Sequence, residues 1–364
     1  MFMADILVTS ASKLHFATNG KFFTLDASLL TDVKAAIADL PAAIWGLFSE
    51  RLVGVYFVEG LGGTGVSDYV FDQNAKPVAA FIVLDAAVLK QQRANAWATW
   101  KENTPFKADP RYRLDARIEA DGNDNRKNAI QYILLHELGH EWWANLVTAS
   151  DWRDFWIHEG FQSFMDSLYQ EHLHGQEEYF AAMKKRVPQT RNMQPVAPRE
   201  PKIAYQVYMA EPEYLKSDGD IYTKGALVLH TLRYLIGDEA FFKALRQMTY
   251  PTKQMETYTD GRQTRLVNTD DFLTIAEAAS GMDLDWFFEI YLRQPKLPKL
   301  ISQVSGNTLN LRWETPNNMP FPMTIDVEIN SKIQRVEMKD SKGTISFTGS
   351  APVVDPKSWV LKTQ

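Results

Sequence analysis

Two histidines one helical turn apart give the chain its clearest chemical signal. His136 and His140 lie four positions apart, and Glu137 directly follows the first of them. An α-helix turns about 100° per residue, so side chains four positions apart share one face. Both imidazoles can therefore reach one metal ion, and Glu137 can take a proton from a water molecule beside that ion. The H-E-x-x-H pattern is typical of metalloproteases, with the two histidines as zinc ligands and the glutamate as general base.

A third metal ligand is expected further along the chain. Glu159 lies 159 − 140 = 19 positions beyond His140, in the aromatic stretch from Trp156 to Phe161. Two histidines and one glutamate form the zinc site that keeps its fourth position open for water. The chain has no cysteine, so metal ligation must fall to His, Asp and Glu. We therefore predict a Zn2+ site at His136, His140 and Glu159, with Glu137 as the catalytic base.

Hydrolysis needs further groups around the metal. A developing oxyanion requires a hydrogen-bond donor, and we predict Tyr222, just before a helix, as that donor. Zinc-bound histidines usually donate their second N–H group to a carboxylate. Asp166, two helical turns beyond Glu159, and Asp154, five residues before it, are both candidates, and either can instead be a solvated surface carboxylate. His230 lies in an apolar helix and is predicted to be a core histidine rather than a ligand.

The elements that would position these residues are mainly helices. We predict a metal-binding helix over 126–147, a second helix over 151–172 that carries Glu159, and a run of helices from 223 to 293. Before the metal-binding helix, residues 112–119 alternate between apolar and polar types, which predicts a strand with one polar face. An edge strand in that place can pair with an extended substrate.

The N-terminal part reads as strands and helices with one glycine-rich stretch. Helical sequence at 28–48 precedes a buried strand at 52–58, and residues 69–72 and 78–84 read as a hairpin. Residues 60–65 contain four glycines, which also suggests a phosphate-binding loop, but no Lys-Ser/Thr pair follows, so the stretch is not a Walker loop. We interpret it as a loop or as a place where two backbones approach closely.

Composition limits the classes of function. The 364 residues carry a formal net charge of −6, and the basic stripe that nucleic-acid binding requires is absent. We expect a peptide or protein substrate, no nucleic acid and no transmembrane segment; oligomeric state stays open. The given chain starts without a signal-peptide pattern, so a cytoplasmic location is the default expectation. We expect three parts: a catalytic subdomain at 1–175, a helical lobe at 176–297 and a small all-β module at 298–364.

Three separated motifs resemble those of the gluzincin aminopeptidases typified by aminopeptidase N. These motifs stand at His136 to Thr148, at Trp152 to Phe161 and at Tyr222 to Gly225. The resemblance runs over about Ala129 to Pro295 and more loosely to the C-terminus. It implies an α+β fold: a thermolysin-like zincin catalytic domain, a helical lobe and a C-terminal β-sandwich-like module. It also implies that Tyr222 stabilises the oxyanion.

The chain departs from this family in two ways. We expect the family's large N-terminal β-domain to be missing, because the sequence as given has no room for it before the catalytic part. The Gly-x-Met-Glu-Asn motif, whose glutamate grips the substrate's free amine, is also missing. Glu102, 136 − 102 = 34 positions before His136, is a candidate for the amine-binding role, and a helix C-terminal turn is the alternative reading. We expect an aminopeptidase; an endo- or oligopeptidase of the same mechanism and a catalytically silent binding scaffold are the alternatives.

Overall fold

The computed structural model describes residues 21–22, 25–38, 52–59, 61, 65–74, 76–86, 135–204, 206–207, 219–258 and 261–363. Glu102, the predicted strand at 112–119 and most of the glycine-rich stretch lie outside these residues. The chain divides into two compact units. One comprises Met1–Glu141, Tyr208–Pro212 and Tyr258–Gln263, and the other comprises Trp142–Val207, Glu213–Thr257 and Thr264–Gln364.

A four-stranded sheet forms the described centre of the first unit. Its strands β1 to β4 run in the order β1-β2-β4-β3 and span Lys21–Phe22, Leu52–Glu59, Gly65–Phe71 and Pro77–Asp85. Strand β2 pairs with β4 in parallel, whereas β3 pairs with β4 in antiparallel register. The predicted hairpin is therefore confirmed. Among the described strands, β3 pairs with β4 alone, so it forms one edge of this sheet.

Helix α1, Ala27–Ala38, covers one face of the sheet. The carboxylate of Asp26 caps the helix by accepting a hydrogen bond from Leu29 N at 2.8 Å. Apolar side chains three or four positions apart point toward the sheet, as an amphipathic helix requires. The resulting core contains Leu29, Val33, Ala36, Val55, Phe57, Ile82, Leu84 and Ala86. Leu138, next to the predicted general base, also packs against this core.

The predicted metal-binding helix is shorter than the sequence indicated. Helix α2 covers 135–139 within the described residues. A wide turn over Glu141–Leu146 follows, with non-helical torsions at Trp143 and Ala144. The chain then enters strand β5, Val147–Ala149, which pairs in parallel with β6, Arg265–Val267. The prediction of continuous helix to Val147 is wrong, because β-branched residues here gain a strand partner from a distant part of the chain.

Helices form most of the second unit. A single turn of 3₁₀ helix at Trp152–Asp154 leads into α3, Trp156–His174, and α4, Gln176–Arg186, follows directly. Helix α5 spans Gly219–Thr249 and is interrupted at Gly237, whose φ of 79° lies in the left-handed region that glycine tolerates. Helix α6 spans Thr269–Ser280 and α7 spans Asp285–Phe288.

The boundaries of helix α6 follow from its capping residues. Asn268 and Asp271 form a reciprocal capping box at the N-terminus, and this box fixes the start of the helix at Thr269. At the C-terminus Gly281 adopts a left-handed φ of 69°, a conformation that glycine tolerates and that ends the helix.

Two small antiparallel sheets complete the second unit. Strands β7, β8 and β11, at Lys299–Ser305, Thr308–Glu314 and Lys342–Ser346, form one sheet. Strands β9, β10 and β12, at Ile325–Ile329, Lys332–Val336 and Val353–Val354, form the other. One continuous core joins these strands to the helices, and it includes Trp156, Phe161, Phe272, Trp313 and Val327. The mixed helix-and-sheet class is confirmed. None of the described helices combines the length and apolarity needed to cross a membrane.

Candidate metal centre

The three predicted metal ligands come together in the structure. One ligand atom from each of His136, His140 and Glu159 lies within 4.8 Å of the other two. His136 and Glu159 are buried, and His140 is half-buried. The two imidazole rings lie edge to face, with centroids 4.9 Å apart. Two imidazoles and a carboxylate are the donor set that a catalytic zinc ion takes.

Glu137, the predicted general base, lies beside the edge strand β3 of its own unit. Ser67 Oγ donates a hydrogen bond to the backbone carbonyl of Glu137 at 3.3 Å. A Cβ atom placed on Gly65 would lie 3.3 Å from both Cγ and Cδ of Glu137. The glutamate side chain therefore occupies space that any larger residue at position 65 would compete for.

The two glycines of the shared motifs account for the close crossing of helices α3 and α5. A Cβ on Gly160 would lie 2.8 Å from Ile221 O and 3.0 Å from Gly225 Cα. Real Cβ atoms almost never come closer than 3.0 Å to another heavy atom. The surrounding interior is close-packed, so the two helices could not easily move apart to admit a side chain. The crossing fixes Glu159, directly before Gly160, and Tyr222, three residues before Gly225, on the two helices that meet there.

Tyr222 is half-buried in the first turns of α5, and two buried side chains of opposite charge flank it. Asp220 accepts hydrogen bonds from Arg191 N at 2.8 Å and Asn192 N at 2.7 Å. Lys224 Nζ donates to Pro295 O at 2.8 Å and to Gln294 O at 3.4 Å. Burial lowers the pKa of Lys224 to about 8, although Asp220 opposes the shift. Desolvation raises the pKa of Asp220.

Asp154, one of the two carboxylates predicted near the ligands, anchors helix α6. Its Oδ1 accepts from Thr269 Oγ1 at 2.6 Å and from Thr269 N at 3.1 Å. The indole of Trp156 donates to the same hydroxyl, with Nε1 2.9 Å from Thr269 Oγ1. The motif that contains Asp154 and Trp156 thus joins the start of α6 to the start of α3.

Asp166, the other candidate carboxylate, is buried on helix α3. Gln162 Nε2 donates to Asp166 Oδ1 at 3.2 Å, and Arg186 Nη2 lies 4.0 Å from Asp166 Oδ2. Arg186 also donates to the carbonyl of Ser163 at 2.9 Å. Which of the two aspartates orients a ligand histidine stays a prediction.

His158 connects the Glu159 helix to strand β5. The backbone N–H of Ala149 donates to His158 Nε2 at 2.8 Å. The Nε2 atom must be unprotonated to accept this bond. The ring also packs on Phe155, with centroids 4.5 Å apart.

His230 is a satisfied core residue, as predicted. Its Nδ1 lies 2.7 Å from Tyr179 Oη and its Nε2 lies 3.2 Å from Ser358 O. The imidazole stacks on Trp359, with centroids 4.6 Å apart. Burial lowers the pKa of His230 to about 3.

Sequence reasoning missed several residues that support the site. Ser67 and Thr269 contact residues far away in the chain, and their own neighbourhoods carry no metal-site pattern. The glycines of the two motifs were a usable signal for Gly160 and Gly225. A glycine inside a helical pattern often marks close backbone approach.

Comparison with known proteins identifies the domain. Residues 114–291 match the model of the Peptidase family M1 domain. The chain contains an aminopeptidase N-like gluzincin catalytic domain. The predicted family is thereby confirmed.

Two proteins with similar sequences are aminopeptidases. The chain is similar to Aminopeptidase N of Lactococcus lactis subsp. lactis, with 26% identity over 53% of this chain and 22% of that protein. It is similar to Glutamyl aminopeptidase of Bitis rhinoceros, with 26% identity over 52% of this chain and 19% of that protein. The match spans about a fifth of the length of these two relatives. The solved structure of Legionella pneumophila aminopeptidase A in complex with aspartic acid matches with a TM-score of 0.46 and 16% identity, over 80% of this chain and 36% of that one.

Proposed function

We propose that the domain is a zinc-dependent peptidase that hydrolyses peptide bonds with a metal-activated water and acts as an aminopeptidase. The approach of the His136, His140 and Glu159 donor atoms to within 4.8 Å is the observation that carries the proposal. Glu137 follows His136 directly, as the peptidase motif requires. The family match adds the expectation of a peptide substrate.

The chain's own residues supply the remaining steps of the proposed reaction. Zinc bound by the three ligands would supply Lewis-acid activation of water and of the scissile carbonyl. Glu137 would accept a proton from the attacking water and deliver it to the leaving amine. The hydroxyl of Tyr222 would donate a hydrogen bond to the oxyanion as it forms.

Zinc dependence and the role of Glu137 can be tested together. We expect the purified protein to cleave a peptide library, to lose this activity with a chelator and to regain it with added zinc. Glu137→Gln should abolish cleavage while stoichiometric zinc stays bound, because only the proton acceptor is lost. Glu177→Gln, an exposed position on α4, is the matched control and should retain activity. Bound zinc without hydrolysis in the wild-type protein would overturn the proposal and favour a binding scaffold.

An endo- or oligopeptidase is the second candidate. The absence of the Gly-x-Met-Glu-Asn motif supports it, since that motif holds the substrate's free amine in the family. The similarity to Aminopeptidase N and to Glutamyl aminopeptidase supports the aminopeptidase. A dipeptide with a free amine should be cleaved far faster than its N-acetylated form if the aminopeptidase proposal is correct. Internal cleavage of library peptides would instead establish the endopeptidase.

A further inference from the structure

We propose that Gly65 and Ser67 of edge strand β3 are positioning residues for the general base Glu137. The proposal rests on the proposed peptidase function, because it assigns the carboxylate of Glu137 the role of base. It also explains why the glycine-rich stretch at 60–65 ends in a glycine. Neither residue would touch the reacting atoms; both act through Glu137.

Gly65 matters because of the space it leaves. A Cβ at this position would meet Leu84 Cδ2 at 2.9 Å and both Cγ and Cδ of Glu137 at 3.3 Å. The glycine lies in an ordinary strand and is not among the positive-φ glycines. Available volume, rather than backbone conformation, therefore accounts for glycine at this place.

Ser67 acts on the backbone of the same residue. Side chains two positions apart lie on one face of a strand, so Ser67 and Gly65 both face helix α2, whereas Val66 is exposed. The hydroxyl donates to Glu137 O at 3.3 Å. The last carbonyls of a helix need partners from outside it, and Ser67 supplies such a partner at Glu137.

Gly65 leaves space for the side chain of Glu137, and Ser67 binds its main chain. Leu84, which a Cβ on Gly65 would strike, belongs to the core against which Leu138 packs. A substitution at position 65 would therefore push on Glu137 directly and on Leu84, in the core against which Leu138 packs. A misplacement of about 1 Å in a catalytic group can cost on the order of 10²-fold in rate.

The kinetic test compares Gly65→Ala, Ser67→Ala and Ser67→Thr with the exposed control Val66→Ala. We expect Gly65→Ala to lower kcat by about tenfold or more, with KM and zinc content within about twofold of wild type. Ser67→Ala should lower kcat less, and Ser67→Thr, which keeps the hydroxyl, should restore it. Wild-type kcat in Gly65→Ala, or a loss that follows zinc content, would overturn the proposal.

A second measurement does not depend on hydrolysis. Urea unfolding midpoints are compared for wild type, Gly65→Ala, Glu137→Ala and the double variant, all at the same zinc saturation. Because Glu137→Ala removes the atoms that the new methyl group meets, Gly65→Ala should lower the midpoint less in the Glu137→Ala background than in wild type. If Gly65→Ala shifts the urea midpoint equally in both backgrounds, position 65 does not contact the side chain of Glu137. An inactive wild type with the difference intact would overturn the peptidase function and still support the contact.

Discussion

Gly160 and Gly225 meet where helices α3 and α5 cross, and a Cβ on Gly225 would lie 2.9 Å from Gly160 Cα. The same atom would lie 3.6 Å from the indole of Trp156. Glu159 precedes one glycine and Tyr222 lies one helical turn before the other. The distance between these two helices therefore sets where a predicted metal ligand and a predicted oxyanion donor stand.

Substitution of Gly225 by alanine should separate the two helices. Alanine favours an isolated helix by about 0.8–1 kcal/mol over glycine, but overpacking costs about 1–3 kcal/mol. Because the clash is with backbone, we expect a net loss of unfolding free energy, measured by urea denaturation, together with reduced peptidase activity. Glu239→Ala on the exposed side of α5 is the control and should leave stability nearly unchanged. A more stable Gly225→Ala protein would show that the crossing tolerates a methyl group.

Removal of the Tyr222 hydroxyl should slow the chemical step. Loss of one oxyanion donor typically lowers kcat by about 10²–10³-fold. We expect Tyr222→Phe to show this loss in steady-state kinetics, with KM and bound zinc unchanged, since the phenyl ring keeps the packing. Tyr250→Phe, a tyrosine just beyond α5, serves as the control. A Tyr222→Phe enzyme of normal kcat would assign the donor role to another group.

His158 should be replaceable by an acceptor but not by an apolar residue. His158→Ala leaves the N–H of Ala149 without its acceptor at 2.8 Å. An unsatisfied donor costs about 1–3 kcal/mol when it is fully buried, and less at a half-buried position such as Ala149. We expect this loss in chemical denaturation and a smaller one in His158→Asn, whose amide oxygen can accept the bond. Similar losses in both variants would point to the packing on Phe155 as the main contribution.

His230 should make the protein sensitive to acid. Its pKa of about 3 in the folded state lies below the value of about 6.5 expected for an unfolded chain. Between these values the unfolded state binds more protons, so the unfolding free energy falls as the pH is lowered from about 6.5 to about 3. We expect His230→Gln to flatten this part of the stability–pH curve, measured by denaturation at several pH values. His172→Gln, at an exposed site, should leave its slope unchanged.

The part of the site that could be predicted from the sequence consists of residues that lie close together in the chain. Helical spacing predicts that His136, Glu137 and His140 lie together, because they fall within one helical turn. Glu159 follows in a motif of its own. The identity of Thr269 as the partner of Asp154 could not be predicted, because the two lie 115 positions apart. Nothing local distinguishes Thr269 from other helix-start residues.

The end of the metal-binding helix could not be predicted from the local sequence. Helical periodicity continues past His140, yet the chain kinks at Trp143 and Ala144 and enters strand β5. The partner of that strand is β6 at Arg265–Val267. The two strands lie far apart in the chain, so their pairing depends on tertiary packing. Packing of this kind overrides local helix preference.

The last turn of the chain is tied to the helices by specific bonds as well as by stacking of Trp359 on His230. Thr231 Oγ1 donates to Trp359 O at 3.1 Å and accepts from Leu361 N at 3.0 Å, while Tyr291 Oη donates to Leu361 O at 2.7 Å. Trimming of the chain before Trp359 would thus remove the stacking partner of His230 and these hydrogen-bond partners of Thr231 and Tyr291. A gene designed to express the helices should therefore carry Trp359 and Leu361 as well, because the helices supply the partners of both residues.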